Sequence, residues 1–200
     1  MNNQQNTATD CSISARLKAE TSHEHDRMEV LMAQAKVFDS RENYIKFTLS
    51  QYYFQKDIEH LYTYPEVSKL IPDLEIRGRS EAALKDLKDL DAIPKGKSDL
   101  TSIKSVDYLQ ALGWIYVSEG STLGAAFLFK EAQSKLGLSE TFGASNLAAY
   151  PEGRMRVWKR FKQALDQADF TQDQQNKIVD GALQGFAHFG RALENIQQLR

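Results

Sequence analysis

The 200-residue chain is 42% hydrophobic and 26% charged, the make-up of one soluble globular domain able to bury about 70% of its unfolded surface. A formal net charge of −2 gives no polyanion-binding signal, so no nucleic-acid partner is expected. Cys11 is the only cysteine, which excludes an internal disulfide and a cysteine-cluster metal site.

In chain order, residues 1–10 (MNNQQNTATD) read as a flexible polar tail without the basic-then-apolar form of a signal peptide. Residues 11–200 read as a single domain. Helices are expected near 12–36, 41–63, 79–91, 105–136, 152–168 and 172–199, with a short turn around 65–71 and an irregular connection over 137–150. Tyr44, Phe47, Gln51, Phe54, Ile58 and Leu61 recur at steps of three and four, one face of a helix. Asp39 with Glu42, and Thr171 with Gln174, read as capping boxes. All four prolines fall between or at the ends of these segments, and no strand pattern persists. The fold class is all-α. The longest apolar run, around AAFLF, is too short to span a bilayer, so no membrane partner is expected, and the protein is expected to be a cytoplasmic monomer.

The segment LKAETSHEHDRMEVL carries two of the four histidines. At about 100° per residue, Leu17, Thr21, Met28, Leu31, Met32 and Ala35 share a stripe with His25 at its edge, while His23 projects about 160° away from His25. The two cannot converge on one ion. Glu29, one turn after His25, is placed to accept a hydrogen from one ring nitrogen, as partners of metal-bound imidazoles do. Lys18, two turns before His25 and only about 20° round, projects on the same side roughly 10 Å along the axis. That offset suits an acidic group at the edge of a large flat cofactor.

A second segment, ALGWIYVSEGSTLGAAFLF, places Gly113, Gly120 and Gly124 within about 40° of one another. Each costs roughly 1 kcal/mol relative to alanine, so together they forgo about 3 kcal/mol of helix propensity. Close crossing by another helix would account for that cost. So would a planar macrocycle laid on the backbone, with Ser118, Gly120 and Ser121 permitting a kink.

Together the two segments resemble the heme oxygenase family. LKAETSHEH matches its proximal-helix pattern Leu-Lys-x-x-Thr-x-x-x-His, and VSEGSTLGAAFLFKEA resembles the distal helix of its bacterial branch. The resemblance runs from Leu17 through the last helix. It implies a single-domain helical bundle with heme sandwiched between a proximal and a kinked distal helix. It makes His25 the iron ligand with Glu29 as its partner, and puts Thr21 and Met28 on the heme-facing stripe. Lys18 and Tyr116 become propionate partners, Gly120, Ser121 and Gly124 line the oxygen side, and Phe186 and Phe189 are pocket residues of the last helix. Arg191 is a further propionate candidate. Animal members carry Gly-Asp-x-x-Gly-Gly in the distal helix, whereas here Ser121 follows Gly120 and Ala125 follows Gly124. The groups holding the distal water therefore differ, with Gln51 a candidate substitute.

The implied reaction uses heme as cofactor and substrate, with O2 and an external ferredoxin- or flavin-type reductase, because no GxGxxG fingerprint is present. Its products would be biliverdin, carbon monoxide and ferrous iron, serving iron acquisition. Seating by Lys18 favours the α isomer, and Lys36 or Lys130 would serve a rotated seating. The alternative is a non-enzymatic heme carrier or sensor. A di-iron site built on Glu20-x-x-His23 and Asp57-x-x-His60 is the weaker rival. His188 and His60 read as solvated or capping residues, and Trp114 and Trp158 as core aromatics.

Overall fold

In the computed structural model, residues 12–96, 105–148 and 151–199 are described. The expected tail over 1–10 and the end of the 137–150 connection lie outside them. Eight α-helices follow in order among the described residues: α1 Ile13–Glu20, α2 Ser22–Gln34, α3 Arg41–Leu61, α4 Pro65–Leu70, α5 Ser80–Asp89, α6 Tyr108–Leu136, α7 Arg154–Gln167 and α8 Gln172–Glu194. Short 3-10 turns lie at Leu74–Ile76, Ser145–Leu147 and Ile196–Gln198. No strand forms among the described residues, only isolated bridges from Ser139 to Phe142 and Gly143.

Several boundaries depart from the sequence reading for local reasons. The single helix expected over 12–36 is interrupted at Thr21 (φ −109°, ψ 4°). Its hydroxyl donates to the Leu17 carbonyl at 2.7 Å, a side-chain bond of the kind that loosens the helical path. The cap of α3 is Ser40, which accepts from the Asn43 amide at 3.1 Å, not Asp39. Pro65 opens a six-residue helix where a turn was expected, since proline suits the first helical position. The last helix stops at Glu194 because Asn195 turns its amide back onto the Arg191 carbonyl at 2.9 Å. The Thr171–Gln174 capping box forms as read, and a second one, Asp107 with Gln110, starts α6.

The first three turns of α6 are buried almost all round, from Leu109 through Glu119, so this helix is the axis of the bundle. Its closest neighbour is α8. A Cβ built on Gly113 would lie 2.0 Å from the Ile178 carbonyl oxygen, and one on Gly181 would lie 2.1 Å from the Gln110 oxygen. The two backbones touch, and each glycine makes room for the other helix. Gly113 thus serves helix crossing and is not part of a ligand slot.

Two apolar cores flank this axis. One joins α1, the end of α3, the start of α6, α7 and α8. The other joins the start of α3, α5 and the far ends of α6 and α8. Met28 and Phe189 touch both. Arg77 is fully buried in an ion pair with Glu119 of α6, donates to the Pro72 carbonyl at 2.8 Å, and lies over the Phe161 ring at 5.7 Å.

Gly113→Ala should destabilise the fold by about 3 kcal/mol from overpacking, despite the roughly 1 kcal/mol that alanine adds to helix propensity. A melting temperature lower by about 5–10 °C is expected in a calorimetric scan.

Candidate active site

One wall of the site is α2, a helix in which no residue is buried. It rests on α8 through Arg27 and packs Met28, Leu31 and Met32 against the core as partly buried side chains. That guanidinium pairs with Glu24 and Glu194, both at 2.9 Å, and occupies the space over Gly190, where a Cβ would meet it at 2.5 Å. The His25 side chain is 69% exposed, with Nδ1 3.6 Å from the Glu29 carboxylate. That contact is longer than a hydrogen bond, but it assigns Nδ1 to Glu29 and leaves Nε2 without a partner among the described residues. His23 lies against Glu24 at 3.4 Å and is equally open. The expectation that His25 alone faces inward is therefore not met by burial; what separates the two rings is direction around α2. The straight-helix offset of Lys18 from His25 does not survive the break at Thr21, although Lys18 is exposed at this end of the wall.

The other wall is the middle of α6. A Cβ on Gly124 would meet nothing within 4 Å, and one on Gly120 only the edge of Trp158 at 3.7 Å. One turn on, Phe127 is 73% exposed. The strip from Gly120 to Phe127 is therefore open backbone and open ring, unlike Gly113 seven residues earlier. The helix stays hydrogen-bonded along this strip. Even so, Ser121 donates to the Ser118 carbonyl at 2.6 Å and Thr122 to the Glu119 carbonyl at 2.7 Å, side-chain bonds that bend helices.

The walls are tied at one end. The Thr21 hydroxyl is the hydrogen-bond partner of the Tyr116 phenol, whose pKa burial pushes above the ordinary tyrosine value. The Tyr116 ring lies 5.3 Å from Trp158, which abuts Gly120. Tyr116 is thus turned into the core instead of standing beside Lys18 at the rim. Of those two candidate partners for a carboxylate, only Lys18 is presented without rearrangement.

Beside α6 lies a polar layer that the sequence reading found only in part. At about 100° per residue, Ser118 sits on the face of α6 opposite Gly120. Ser118 is buried; it accepts from Gln55 Nε2 at 3.1 Å, and its carbonyl accepts from Arg79 at 3.0 Å. Gln51, the expected substitute for the missing aspartate, accepts from Asn146 at 2.9 Å. The Asn146 amide donates to Asp86 at 2.8 Å, and Ser145 adds bonds of 2.7 and 2.6 Å. Burial raises the Asp86 pKa, and these donors oppose the shift. Asn146 Oδ1 is buried without a protein partner, an acceptor that a water would satisfy. Gln55, Asp86, Arg79 and Asn146 were missed. The available signal was Gln55 following Gln51 at i+4 on an otherwise apolar stripe.

Phe186 and Phe189 belong to the core behind the walls, with Phe189 edge-on to Phe54 at 5.3 Å. Met28 reaches the same junction from α2. Trp114 and Trp158 are buried, as expected. His188 is not solvated: it is 4% exposed, 3.5 Å from Asp57 and 5.0 Å from the Trp114 ring. Its projection away from the Phe186, Phe189 and Leu193 stripe misled because Asp57 brings a buried polar counterpart to meet it. Arg191 lies 3.4 Å from His188 Nδ1. The di-iron pattern fails, since the Thr21 break separates Glu20 from His23, and Asp57 is buried while His60 is exposed. No group of three or more His, Cys, Asp or Glu side chains able to hold a metal occurs among the described residues. A metal held at His25 needs its remaining ligands from a macrocycle of its own, and the open glycine strip fits a planar one.

The frame is all-α, with an exposed histidine on a helix that buries none of its residues and a strip of open glycine backbone on α6. The heme oxygenase family model matches residues 11–195, and the chain belongs to that family. It is 41% identical to the heme oxygenase PigA of Pseudomonas aeruginosa over 184 residues, covering 90% of this chain and 91% of that protein. The crystal structure of the NO- and CO-bound heme oxygenase of Neisseria meningitidis superposes with a TM-score of 0.84 at 38% identity, over 94% of both chains. Heme oxygenase-1 of the cyanobacterium Synechocystis sp. PCC6803, solved in complex with heme, shares the fold with a TM-score of 0.78 at 17% identity, over 93% of this chain and 92% of that one.

Gly124→Leu should leave the melt of the protein without heme unchanged within a few degrees, because the added side chain enters open space. Hemin affinity should fall by roughly 1–3 kcal/mol, about ten- to hundredfold. A titration followed by absorbance checks this, and a collapsed fold would show that the strip is a packing surface.

Proposed function

We propose that this chain is an oxygenase that cleaves heme at a meso carbon to biliverdin, carbon monoxide and ferrous iron. The observation that carries the reading is the open Gly120–Gly124 strip of α6, taken with an exposed His25 on α2 whose Nε2 has no partner among the described residues. Family membership supports it. Heme supplies the redox chemistry with dioxygen and is itself the substrate.

His25 Nε2 is the iron ligand, and Glu29 at Nδ1 orients the ring and sets its tautomer. Gly120 and Gly124 let a ring lie against the α6 backbone, with Ser121 at the edge of that strip, so that room remains toward one side only. Water held by the α6 carbonyls, Gln51 and Asn146 supplies protons in place of a distal-helix aspartate. Electrons come from a separate ferredoxin- or flavin-type reductase. We place the protein in the cytoplasm as a monomer working in iron acquisition; among the described residues no helix is long and apolar enough to cross a membrane.

Lys18, exposed at the Tyr116 end of the cleft, holds a propionate and favours attack at the α carbon. Lys36 and Lys130, both exposed, are the cations available to a rotated seating.

Hemin should give a histidine-ligated spectrum, and a reductant in air should convert it to a green bilin. Heme that stays intact through this treatment would identify a carrier instead. His25→Ala should abolish the spectrum and turnover, with added imidazole restoring part of the spectrum, whereas His23→Ala should do neither. The reverse pattern would overturn the ligand assignment.

A partly exposed ion pair contributes about 1 kcal/mol. Lys18→Ala should therefore turn one dominant α isomer into a mixture before it abolishes binding. Chromatography of the bilins decides, and a β or δ product from the unmodified protein would place the propionates elsewhere.

A further inference from the structure

Three polar side chains from α5, the turn at Ser145–Leu147 and α3 form a chain of hydrogen bonds that runs in one direction. Asp86 of α5 is fully buried and holds the turn. Its Oδ1 accepts from the Ser145 amide at 2.7 Å and the Ser145 hydroxyl at 2.6 Å, and its Oδ2 accepts from the Asn146 amide at 2.8 Å. Asn146, itself buried, donates from Nδ2 to Gln51 Oε1 at 2.9 Å. Its own Oδ1 is buried without a partner among the described residues.

Gln51 stands level with the glycine strip. The helices α3 and α6 run antiparallel: Phe54 stacks on Trp114 at 5.9 Å, Gln55 donates to Ser118 at 3.1 Å, and earlier on α3 Tyr44 and Phe47 share a core with Ala125 and Ala132. One turn before Gln55 is therefore one turn after Ser118, the level of Ser121 and Thr122. The residues one turn either way along α3, Phe47, Thr48, Phe54 and Gln55, are all buried, whereas Gln51 is partly exposed. The packing of α3 opens at this turn. A side-chain amide has one acceptor end and one donor end. With Oε1 engaged by Asn146, Gln51 has Nε2 left to present, so the pair offers one donor on Gln51 and one acceptor on Asn146.

We infer that Asp86 and Asn146 are positioning residues that set the sense of the Gln51 amide, so that it presents a hydrogen-bond donor, not an acceptor, to a ligand held at the level of the Gly120–Gly124 strip. This rests on the function proposed above. A donor at that place favours a ligand atom carrying negative charge. Asp86 fixes the turn, the turn fixes Asn146, and both act through Gln51.

The test reverses the amide. Asn146→Asp replaces the donor with a carboxylate that only accepts, so Gln51 turns Nε2 toward it and presents Oε1 instead. The first readout uses the isotope-labelled full chain without heme. The Gln51 side-chain amide hydrogens should exchange freely with solvent in the unmodified protein and about tenfold more slowly in Asn146→Asp. Slow exchange already present in the unmodified protein would show the opposite sense and overturn the inference. The second readout is the affinity of the ferric hemin complex for fluoride and azide. It should fall about tenfold in Asn146→Asp, the equivalent of one hydrogen bond, with Asn146→Ala and Asp86→Asn lying between that variant and the unmodified protein. If Asp86→Asn does not fold, Ser145→Ala, which removes one of the Asp86 bonds, takes its place. In a Gln51→Ala background Asn146→Asp should change the affinity by less than about twofold. A full loss there would mean that the new carboxylate repels the anions directly, and would overturn the inference. Failure of the unmodified protein to bind hemin would sink the proposed function, while the exchange readout still judges the amide. Heme cleavage by the unmodified protein beside variants with unaltered anion affinity would sink only this inference.

Discussion

The contact on which the rest depends is the crossing of α6 and α8 at Gly113 and Gly181. With a Cβ on either glycine excluded by the other helix's backbone, the two axes approach as closely as helices can. Dispersion contacts then run backbone to backbone instead of through flexible side chains. The crossing fixes the axial position and rotation of α6 and so decides which way its later residues face. The same residue type then does opposite work along one helix. At Gly113 the missing side chain is filled by protein, while at Gly124 it is left open.

The two walls of the cleft are held by different physics. The α6 wall is backed by the buried Arg77–Glu119 pair and by a layer of Gln55, Ser118, Gln51, Asn146 and Asp86 whose donors and acceptors are largely matched. Buried ionic and polar groups add little net stability, but losing one partner is costly, so such a layer resists displacement of the wall. The α2 wall buries no residue fully, although Met28, Leu31 and Met32 pack against the core as partly buried side chains. It is held by the Arg27 pairs, by Met28, and by the Thr21–Tyr116 bond at its root. One wall is fixed by a matched polar network and the other by partly buried side chains and a few ion pairs.

Much of this was legible in the residues. Helical periodicity placed the elements, because an apolar stripe at steps of three and four has few other outcomes, and the Thr171 box marked a boundary correctly. The spacing of His23 and His25 excluded a shared ion, which the geometry of α2 supports. What could not be read was anything decided by partners distant in sequence. Three glycines on one face look alike until Ile178 is seen to fill the space over one and nothing fills the space over another. His188 looked solvated because Asp57, which meets it in the core, lies far away on α3. The interruption at Thr21 had no mark in the sequence, since Thr48 makes the same bond to its own backbone within an unbroken α3. Arg79 carried no motif, since its role lies in reaching a carbonyl from a loop.

The lack of burial along α2 has a thermodynamic consequence. A thirteen-residue helix is marginal in water unless it packs, and α2 packs only partly buried side chains, so it is free to fray in part while the cleft holds no ligand. Part of the free energy released when a ligand docks then goes into ordering α2, and the measured affinity is the docking energy less that cost. Affinity therefore becomes a property of residues that never meet the ligand. Solvent-facing positions of α2 such as Ala33 and Asp26, through helix propensity alone, set how much of the helix is already formed before binding. Ligand uptake and local folding are in this sense one equilibrium, adjustable from the outer surface of the protein.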